Sequence, residues 1–330
     1  MVKRLPNVVT IGGGTGSYSS LMGLKKHDLQ LTAIVNMIDD GGSSGILRDE
    51  LGVLPPGDVR QCLVALAESS KLLRELFNYR FDEGGLKGHS FGNIFLSTLE
   101  KQTGSMKKAI GEAGKILRIR GTVVPVTFTK SSQLCVDLKD GTKIVGETHI
   151  DVVEKKEKRA PIINVYLKPK ASLNEDAKEA IEKADYILIG PGDLYTSLIP
   201  VILVNGVPEI IKNSKAKKIF VMNLMTKYGH TSGYTATRHL KEIEKHLGKG
   251  IIKYLLVNSK KPKKSILSWY DEYEEYPVVD DLKDNKKYKI IRADLIKDVV
   301  ASESTSDVLR RSIIRHDSKK LAKEVMNLIS

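Results

Sequence analysis

VVTIGGGTGSYSS, residues 8–20, joins a short apolar strand to a turn with four glycines within five positions. Glycine adopts positive φ and lets the backbone approach a ligand closely. The free N–H groups at the start of a following helix favour an anion. The stretch therefore predicts a strand–turn–helix unit that binds a phosphate or a nucleotide. No standard fingerprint fits, because Ser17 stands where G-x-G-x-x-G needs its third glycine, so a tight turn that binds nothing is the structural alternative.

Composition narrows the class of protein. The 330 residues include 53 Lys and Arg against 40 Asp and Glu, a net charge of +13. The basic residues are scattered and not interleaved with aromatic residues, so we do not expect a nucleic-acid partner. Cys62 and Cys135 stand in unrelated contexts, which argues against a disulfide scaffold or a zinc site and favours a reducing cytoplasm. We expect neither a membrane span nor a signal peptide.

Apolar, strand-like runs alternate with amphipathic helical stretches. The predicted strands are Val8–Ile11, Leu31–Ile38, Tyr186–Ile189, Lys218–Asn223 and Ile251–Asn258. The predicted helices are Ser17–Lys26, Val59–Ala67, Leu72–Phe77, Asn93–Lys101, Ser105–Leu117, Asn174–Lys183, Pro208–Asn213, Thr235–Leu247 and Lys319–Leu328. This alternation is typical of a three-layer α/β/α, Rossmann-type fold with a mostly parallel sheet. We expect a single domain over residues 1–330.

The middle of the chain, residues 121–170, is rich in strands. It contains TVVPVTFT, then QLCVDLKDGTKIVGE and IINVYLKP. The Asp140-Gly141 pair predicts a hairpin turn. We interpret the stretch as a β-hairpin insertion within the α/β domain, with a charged, mobile loop at residues 151–158.

Polar residues gather where the predicted strands end, and in a parallel sheet these ends form the ligand crevice. The second strand leads into DDGGSSG, whose carboxylates Asp39 and Asp40 would hold a ribose, bind Mg²⁺ beside phosphates or accept a proton. They would equally serve an Asx-turn and a helix cap. In LPPGDVR, Asp58 predicts an N-cap and Arg60 an anion contact. In GHSFGN, His89 is either an acid/base or phosphate-binding residue or a structural histidine.

A second glycine turn follows the strand YILIG, and the strand KKIFVMN ends in NLMT. Near the C-terminus, RHDS offers Arg315 for a phosphate and Asp317 or Ser318 as a helix cap. The predicted nucleotide- and phosphate-binding residues are Gly12, Gly13, Gly14, Thr15, Gly16, Ser17, Asp39, Asp40, Ser43, Ser44, Arg60, His89, Asn93, Gly190, Gly192, Asp193, Tyr195, Thr196, Ser197, Asn223, Thr226 and Arg315.

In chain order these motifs are IGGGTGS, DDGGSSG, LPPGDVRQCL, FNYRF, GHSFGN, GPGDLYTSLIP, NLMT and RHD. Together they resemble those of the gluconeogenesis factor family, in the superfamily of the 2-phospho-L-lactate transferase CofD, over almost the whole chain. The resemblance implies a CofD-like fold and a cytoplasmic regulatory role in growth on gluconeogenic carbon sources and in cell shape. It also implies a nucleotide-sugar ligand such as UDP-N-acetylglucosamine, or a dinucleotide such as NAD.

The resemblance implies a second hypothesis, an Mg²⁺-dependent transferase acting on a nucleotide-activated donor like the deazaflavin-pathway relative. Asp39, Asp40 and His89 are then the candidate catalytic residues, with Asp39 and Asp40 as candidate Mg²⁺ ligands. An NAD-dependent enzyme is a third hypothesis, with Asp39 as the acidic residue that holds the ribose. A homo-oligomer and a protein partner in cell-wall synthesis stay open.

The chain departs from the family's pattern at two places. The family's usual Ser after G-P-G is Asp193, and the usual Gln-Pro-Gly-Glu after NLMT is replaced by Lys227-Tyr228-Gly229-His230. The first change brings a carboxylate to the expected phosphate site. The second alters the rim where a base or sugar would be selected.

Overall fold

The computed structural model describes residues 4–153, 159–284, 286–298 and 312–329. Its strands, labelled along the chain, are β1 (Asn7–Gly12), β2 (Gln30–Val35), β3 (Thr122–Pro125), β4 (Gln133–Leu138), β5 (Lys143–Val145), β6 (Ile162–Lys168), β7 (Tyr186–Ile189), β8 (Lys217–Val221), β9 (Tyr254–Asn258) and β10 (Lys289–Ala293). Seven of them form one parallel sheet in the order β10-β9-β8-β7-β1-β2-β3. The predicted parallel α/β fold is therefore confirmed.

Helices cover both faces of this sheet, as continuous apolar strands require. They are α1 (Gly14–Leu24), α2 (Gly42–Leu51), α3 (Gly57–Leu66), α4 (Lys71–Asn78), α5 (Phe91–Thr103), α6 (Met106–Leu117), α7 (Glu147–Asp151), α8 (Glu175–Glu182), α9 (Ile199–Ile202), α10 (Val207–Asn213), α11 (Ala236–Leu247), α12 (Lys264–Asp271) and α13 (Ser318–Ile329). The central strands β1 and β7 are buried along almost their whole length. Helix α1 packs between α3 and α13, so the N-terminal unit lies at the centre of the core.

The strand-rich middle divides between two sheets. Strand β3 is the edge of the parallel sheet, whereas β4, β5 and β6 form a separate antiparallel sheet. The predicted hairpin turn at Asp140-Gly141 joins β4 to β5, and the N–H of Gly141 donates to the carbonyl of Leu138 at 3.0 Å. The antiparallel sheet thus begins at Gln133, later than the sequence pattern indicates. Of the loop predicted at 151–158, residues 154–158 lie outside the described residues.

Two elements differ from the sequence-based expectation. Helix α2, which is not among the predicted helices, begins at Gly42 within the DDGGSSG stretch. The predicted strand Leu31–Ile38 ends early, at Val35, where the side chain of Asn36 accepts a hydrogen bond from the N–H of Ile38 at 3.1 Å. Among the described helices, none has both the length and the apolar character that a bilayer crossing demands.

Candidate functional site

The two glycine turns lie directly against each other. Helix α1 begins at Gly14, whose φ of +62° lies in the left-handed region. Two residues later, a Cβ on Gly16 would lie 2.5 Å from the carbonyl carbon of Pro191 and 2.9 Å from the nitrogen of Gly192. Real Cβ atoms essentially never come within 3.0 Å of such atoms. Only glycine at position 16 therefore permits the first turn to touch the second.

A crevice opens over this contact, at the carboxyl ends of the central strands, as expected for a parallel sheet. Twelve of the predicted site residues line it: Gly13, Gly14, Thr15, Gly16, Asp39, Gly192, Asp193, Thr196, Ser197, Asn223, Thr226 and Arg315. The structure adds lining residues that the sequence reasoning did not include in the site: Ser19, Asp58, Gln61, Glu147, Asp151, Pro191, Leu224, Met225, Lys227, Glu275, Ser312, Ile314 and His316.

The other predicted site residues lie outside this lining: Gly12, Ser17, Asp40, Ser43, Ser44, Arg60, His89, Asn93, Gly190 and Tyr195. Tyr195 is fully buried in a π-helical turn, Leu194–Leu198, and its hydroxyl pairs with that of Tyr234 at 2.8 Å. Its neighbours Thr196 and Ser197 line the crevice instead. Of the three predicted binding residues in this turn, two line the crevice and one is buried behind it.

Arg60 belongs to a polar network behind the crevice. Its Nε donates to Oδ1 of Asn93 at 2.9 Å, and one Nη donates to Oδ1 of Asn78 at 2.5 Å. Nδ2 of Asn93 donates to Oγ of Ser43 at 3.2 Å, and Oγ of Ser43 lies 3.1 Å from Nδ1 of His89. Arg60 is 6 % exposed. The network ties α3 to α2, α4 and α5, so these side chains support the crevice wall from outside.

Asp58 has a different role from the one its sequence position suggests. The N-cap of α3 is Pro56, and Asp58 lies in the first turn of that helix. Its Oδ1 accepts the N–H of Gly14 at 2.7 Å. The prediction that Asp58 caps α3 is therefore wrong, because its carboxylate takes the first free N–H of α1 instead. The carboxylate of Asp58 therefore already uses part of the anion-binding capacity at the start of α1.

Asp40 holds the antiparallel sheet to the core. Its Oδ2 accepts the N–H of Glu147 at 3.0 Å, and its Oδ1 accepts the N–H and the hydroxyl of Thr148 at 2.7 and 3.0 Å. These are the first two residues of the short helix α7. A carboxylate at a helix N-terminus satisfies orphan N–H groups and interacts favourably with the helix dipole. Asp40 thus places α7 over the crevice.

Replacing Asp40 with alanine should lower the free energy of unfolding by about 2 kcal/mol, because buried N–H groups lose charged acceptors. Urea denaturation measures this. The matched control is Asp49→Ala, which removes a carboxylate that is 66 % exposed and pairs with Arg48; we expect a change within about 0.5 kcal/mol there. Equal stability of Asp40→Ala and Asp49→Ala would contradict the capping role.

Carboxylates dominate the crevice among the described lining residues. The acids are Asp39, Asp58, Glu147, Asp151, Asp193 and Glu275, and the permanent cations are Lys227 and Arg315. Burial, together with the charge of Asp39 and the hydrogen bond shared with it, raises the pKa of Glu147 well above its usual value. Oε2 of Glu147 is buried and has no hydrogen-bond partner in the described part of the chain. The first turn of α7 therefore brings a carboxyl group with a raised pKa next to Asp39.

Glu147→Gln should make the protein progressively more stable than the wild type as pH rises above about 4.5, the unfolded pKa of this glutamate. A carboxyl group whose folded pKa is raised stabilises the fold below its unfolded pKa, near 4.5, and loses that contribution as pH rises through the folded pKa. Glutamine keeps the neutral form at every pH. Urea denaturation at several pH values checks the trend, with Glu112→Gln on α6 as the exposed control; parallel curves for Glu147→Gln and the wild type would contradict it.

The family model of the 2-phospho-L-lactate transferase CofD matches residues 8–296. Relatives along nearly the full length are named gluconeogenesis factor. The one from Halalkalibacterium halodurans is 42% identical over 97% of this chain and 95% of its own length. The one from Bacillus subtilis is 36% identical over 98% of each chain. The chain belongs to the gluconeogenesis factor family, within the CofD superfamily.

A solved structure of a related protein has the same fold as this chain. The crystal structure of a UPF0052 family protein from Bacillus halodurans superposes with a TM-score of 0.87 at 38% sequence identity. The match covers 98% of this chain and 99% of the other. This chain, with its seven-stranded parallel sheet and small antiparallel sheet, therefore shares its fold with that protein.

Asp193 and Lys227, the two positions at which the resemblance predicts other residues, belong to one ion cluster. Nζ of Lys227 lies 2.9 Å from Oδ2 of Asp193 and also pairs with Oδ1 of Asp151, on the last residue of α7. Burial alone would lower the pKa of Lys227, but the two carboxylates raise it above its ordinary value. The carboxylate of Asp193 thus has its counter-charge in Lys227. The ammonium group also joins α7 to the crevice rim.

His230 completes this attachment of α7. Its Nε2–H donates to the carbonyl of Ile150 at 2.6 Å, and burial together with the nearby Lys227 charge lowers the pKa of the imidazole to about 4. A neutral imidazole can therefore serve as a buried donor without adding a charge. In this chain, α7 is held at its start by Asp40 and at its end by Lys227 and His230.

Proposed function

We propose that the protein binds the diphosphate of a nucleotide-sugar of the UDP-N-acetylglucosamine type in this crevice and acts as a cytoplasmic regulator. The proposal rests on the packing of the two glycine turns against each other at the strand ends. That arrangement brings the start of α1 together with Thr196 and Ser197, groups suited to phosphate oxygens. The names of the relatives support a role in gluconeogenic growth, and the resemblance extends it to cell shape.

Charge in the crevice requires a cation to accompany the diphosphate. The acids outnumber Lys227 and Arg315 in the described lining, and Lys227 already pairs with two carboxylates. Among the described residues, no group of three or more His, Cys, Asp or Glu side chains is arranged to hold a metal. Mg²⁺ needs only one or two carboxylates when phosphate oxygens and waters complete its shell. Asp39 and Asp58, hard oxygen donors at the glycine turn, fit that need, and we infer that they would hold it.

A thermal-shift panel tests the proposal. The probes are UDP-N-acetylglucosamine, UDP, GDP and NAD, each with Mg²⁺ and with EDTA. A ligand at 100 times its Kd adds about 2.7 kcal/mol to stability, so a true ligand gives a clear rise in Tm. We expect the largest rise with UDP-N-acetylglucosamine and Mg²⁺, and a smaller rise with EDTA. No shift with any nucleotide would remove the nucleotide-binding function, and a rise with NAD alone would support a dinucleotide-dependent enzyme.

The crevice also supports a second function, an Mg²⁺-dependent transferase acting on a nucleotide-activated donor. The observation that favours it is the position of Asp39, which lines the crevice beside the glycine turn, whereas Asp40 is occupied by α7. Asp39→Asn should abolish any release of nucleoside monophosphate from such a donor. The control Asp49→Asn should retain full release. Stable binding without turnover in the wild type would favour the regulator.

A further inference from the structure

His316 lines the crevice and carries a buried nitrogen without a partner among the described residues. The side chain is 7 % exposed and lines the crevice just before α13. Its imidazole bonds to the backbone of Met222, and burial lowers its pKa to about 4. The ring is therefore neutral near pH 7, and Nδ1 is the nitrogen that carries the hydrogen toward Met222. Nε2 is buried, lacks a partner among the described residues, and is left as an acceptor.

Asn223 offers a second acceptor in the lining of the same crevice. Its Nδ2 donates to the carbonyl of Gly192 at 2.9 Å, which fixes the orientation of the amide. Its Oδ1 is buried and has no hydrogen-bond partner within the described ranges. Asn223 directly follows Met222 in the chain, so both acceptors lie at the end of β8. Unsatisfied buried polar atoms are rare in folded proteins and call for a physical explanation.

Apolar side chains border these two acceptors, although Asn223 itself bonds to the second glycine turn. Leu224, Met225 and Ile314 line the same part of the crevice and are at most 9 % exposed. A phosphate group near pH 7 offers only acceptor oxygens, so a neutral imidazole nitrogen and an amide oxygen would repel it. A hydroxyl group can donate to either acceptor. This end of the crevice therefore suits an uncharged part of a ligand.

We propose that Nε2 of His316 and Oδ1 of Asn223 form a subsite that accepts hydrogen bonds from adjacent hydroxyl groups of the ligand's sugar. The proposal rests on the nucleotide-sugar function proposed above and assigns the sugar to this end of the crevice. A vicinal diol supplies two donors for two acceptors, whereas the edge of uracil supplies one N–H between two carbonyls. The diol belongs either to the ribose or to the hexose, and the experiment separates these sources.

Calorimetric titration with Mg²⁺ present compares the wild type with two variants. His316→Asn keeps a donor near the position of Nδ1 for Met222 but has no atom at Nε2. His316→Gln places an amide near Nε2 and can restore the acceptor. The probes are UDP, 2′-deoxy-UDP, 3′-deoxy-UDP and UDP-N-acetylglucosamine. One neutral hydrogen bond corresponds to a loss of about fivefold in affinity.

If the ribose is bound, we expect His316→Asn to weaken UDP about fivefold, and one of the deoxy analogues to bind both proteins alike. If the hexose is bound, His316→Asn should weaken only UDP-N-acetylglucosamine. His316→Gln should recover part of the lost affinity in either case, which a role limited to the Met222 bond would not produce. Any of three results would overturn the subsite. His316→Asn could weaken every probe equally, or it could leave binding unchanged. GDP could also bind more tightly than UDP, through the N–H groups of its base.

A second titration separates a failure of the proposed nucleotide binding from a failure of the subsite. If no nucleotide binds, uridine and N-acetylglucosamine are titrated while the ¹⁵N resonances of the His316 imidazole are followed by NMR. A shift of Nε2 with either sugar would sustain the subsite and remove the proposed function. No shift would overturn both.

Discussion

Gly16→Ala should destabilise the protein by about 3 kcal/mol or more, because the added methyl group forces backbone against backbone. Its Cβ would lie within 2.9 Å of both Pro191 and Gly192. Neither atom belongs to a flexible side chain that could move aside. The two glycine turns must separate, so nucleotide affinity should fall together with the free energy of unfolding. Guanidinium denaturation and the thermal-shift panel measure the two effects.

The matched control for Gly16→Ala is Gly111→Ala on α6. A Cβ at Gly111 would meet nothing within 4 Å, and alanine is the better helix former by roughly 0.5–1 kcal/mol. We therefore expect Gly111→Ala to raise the free energy of unfolding. If Gly16→Ala proved as stable as the wild type, the contact between the turns would not be required for the fold.

Lys227→Gln should cost about 3 kcal/mol, because it leaves the carboxylates of Asp151 and Asp193 without their counter-charge. The side chains of Lys227 and Asp151 are only 21 % and 13 % exposed, whereas that of Asp193 is 46 % exposed. Most of the cost therefore comes from Asp151. Burial alone would raise the pKa of Asp151, but Lys227 holds it below its usual value. A depressed carboxylate stabilises the fold above its unfolded pKa, so the penalty of Lys227→Gln should shrink as pH falls through the acid range.

A double-mutant cycle tests whether the two departures compensate each other. Asp193→Ser should cost less in the Lys227→Gln background than in the wild type, because it then removes an unpaired carboxylate. We expect a coupling free energy of about 1 kcal/mol by urea denaturation. Lys178→Gln, whose partner Glu175 is 83 % exposed, is the control and should change stability by less than about 1 kcal/mol. Additive effects at 193 and 227 would mean that the two substitutions are independent.

The sequence pattern predicts most of the fold because the sheet is buried on both faces. Strands such as β7 are continuous apolar runs, and the helices between them show one apolar face. The pattern does not predict β10, since its residues are mostly half-exposed at the sheet edge. It does not predict α2 either, because that helix opens with Gly42-Ser43-Ser44-Gly45, which are weak helix formers. Packing against α5 and the hydrogen bonds of Ser43 stabilise this helix in the folded chain.

The candidate site likewise contains residues that the sequence predicts and residues that it does not. Residues at strand ends, such as Gly13, Asp39 and Thr196, are predictable because parallel strands end at one edge of the sheet. Glu147 is not predictable in this way, because it lies on α7, next to the separate antiparallel sheet, and reaches Asp39 only after folding. Arg60 satisfies the sequence criterion for an anion contact, yet it bonds to amides behind the wall. The local sequence predicts where a side chain stands relative to a strand or helix end. It does not predict the partners of that side chain, because these depend on how the helices pack.

The attachment of helix α7 limits how the antiparallel sheet can be exchanged between relatives. The antiparallel sheet has the appearance of a module that could be exchanged between relatives by joining chains near residues 132 and 169. Such a chimera would also exchange two acidic groups of the crevice, Glu147 and Asp151. It would lose its attachment unless the recipient supplied counterparts of Asp40 and Lys227. The small sheet and the rim of the large one must therefore be inherited together.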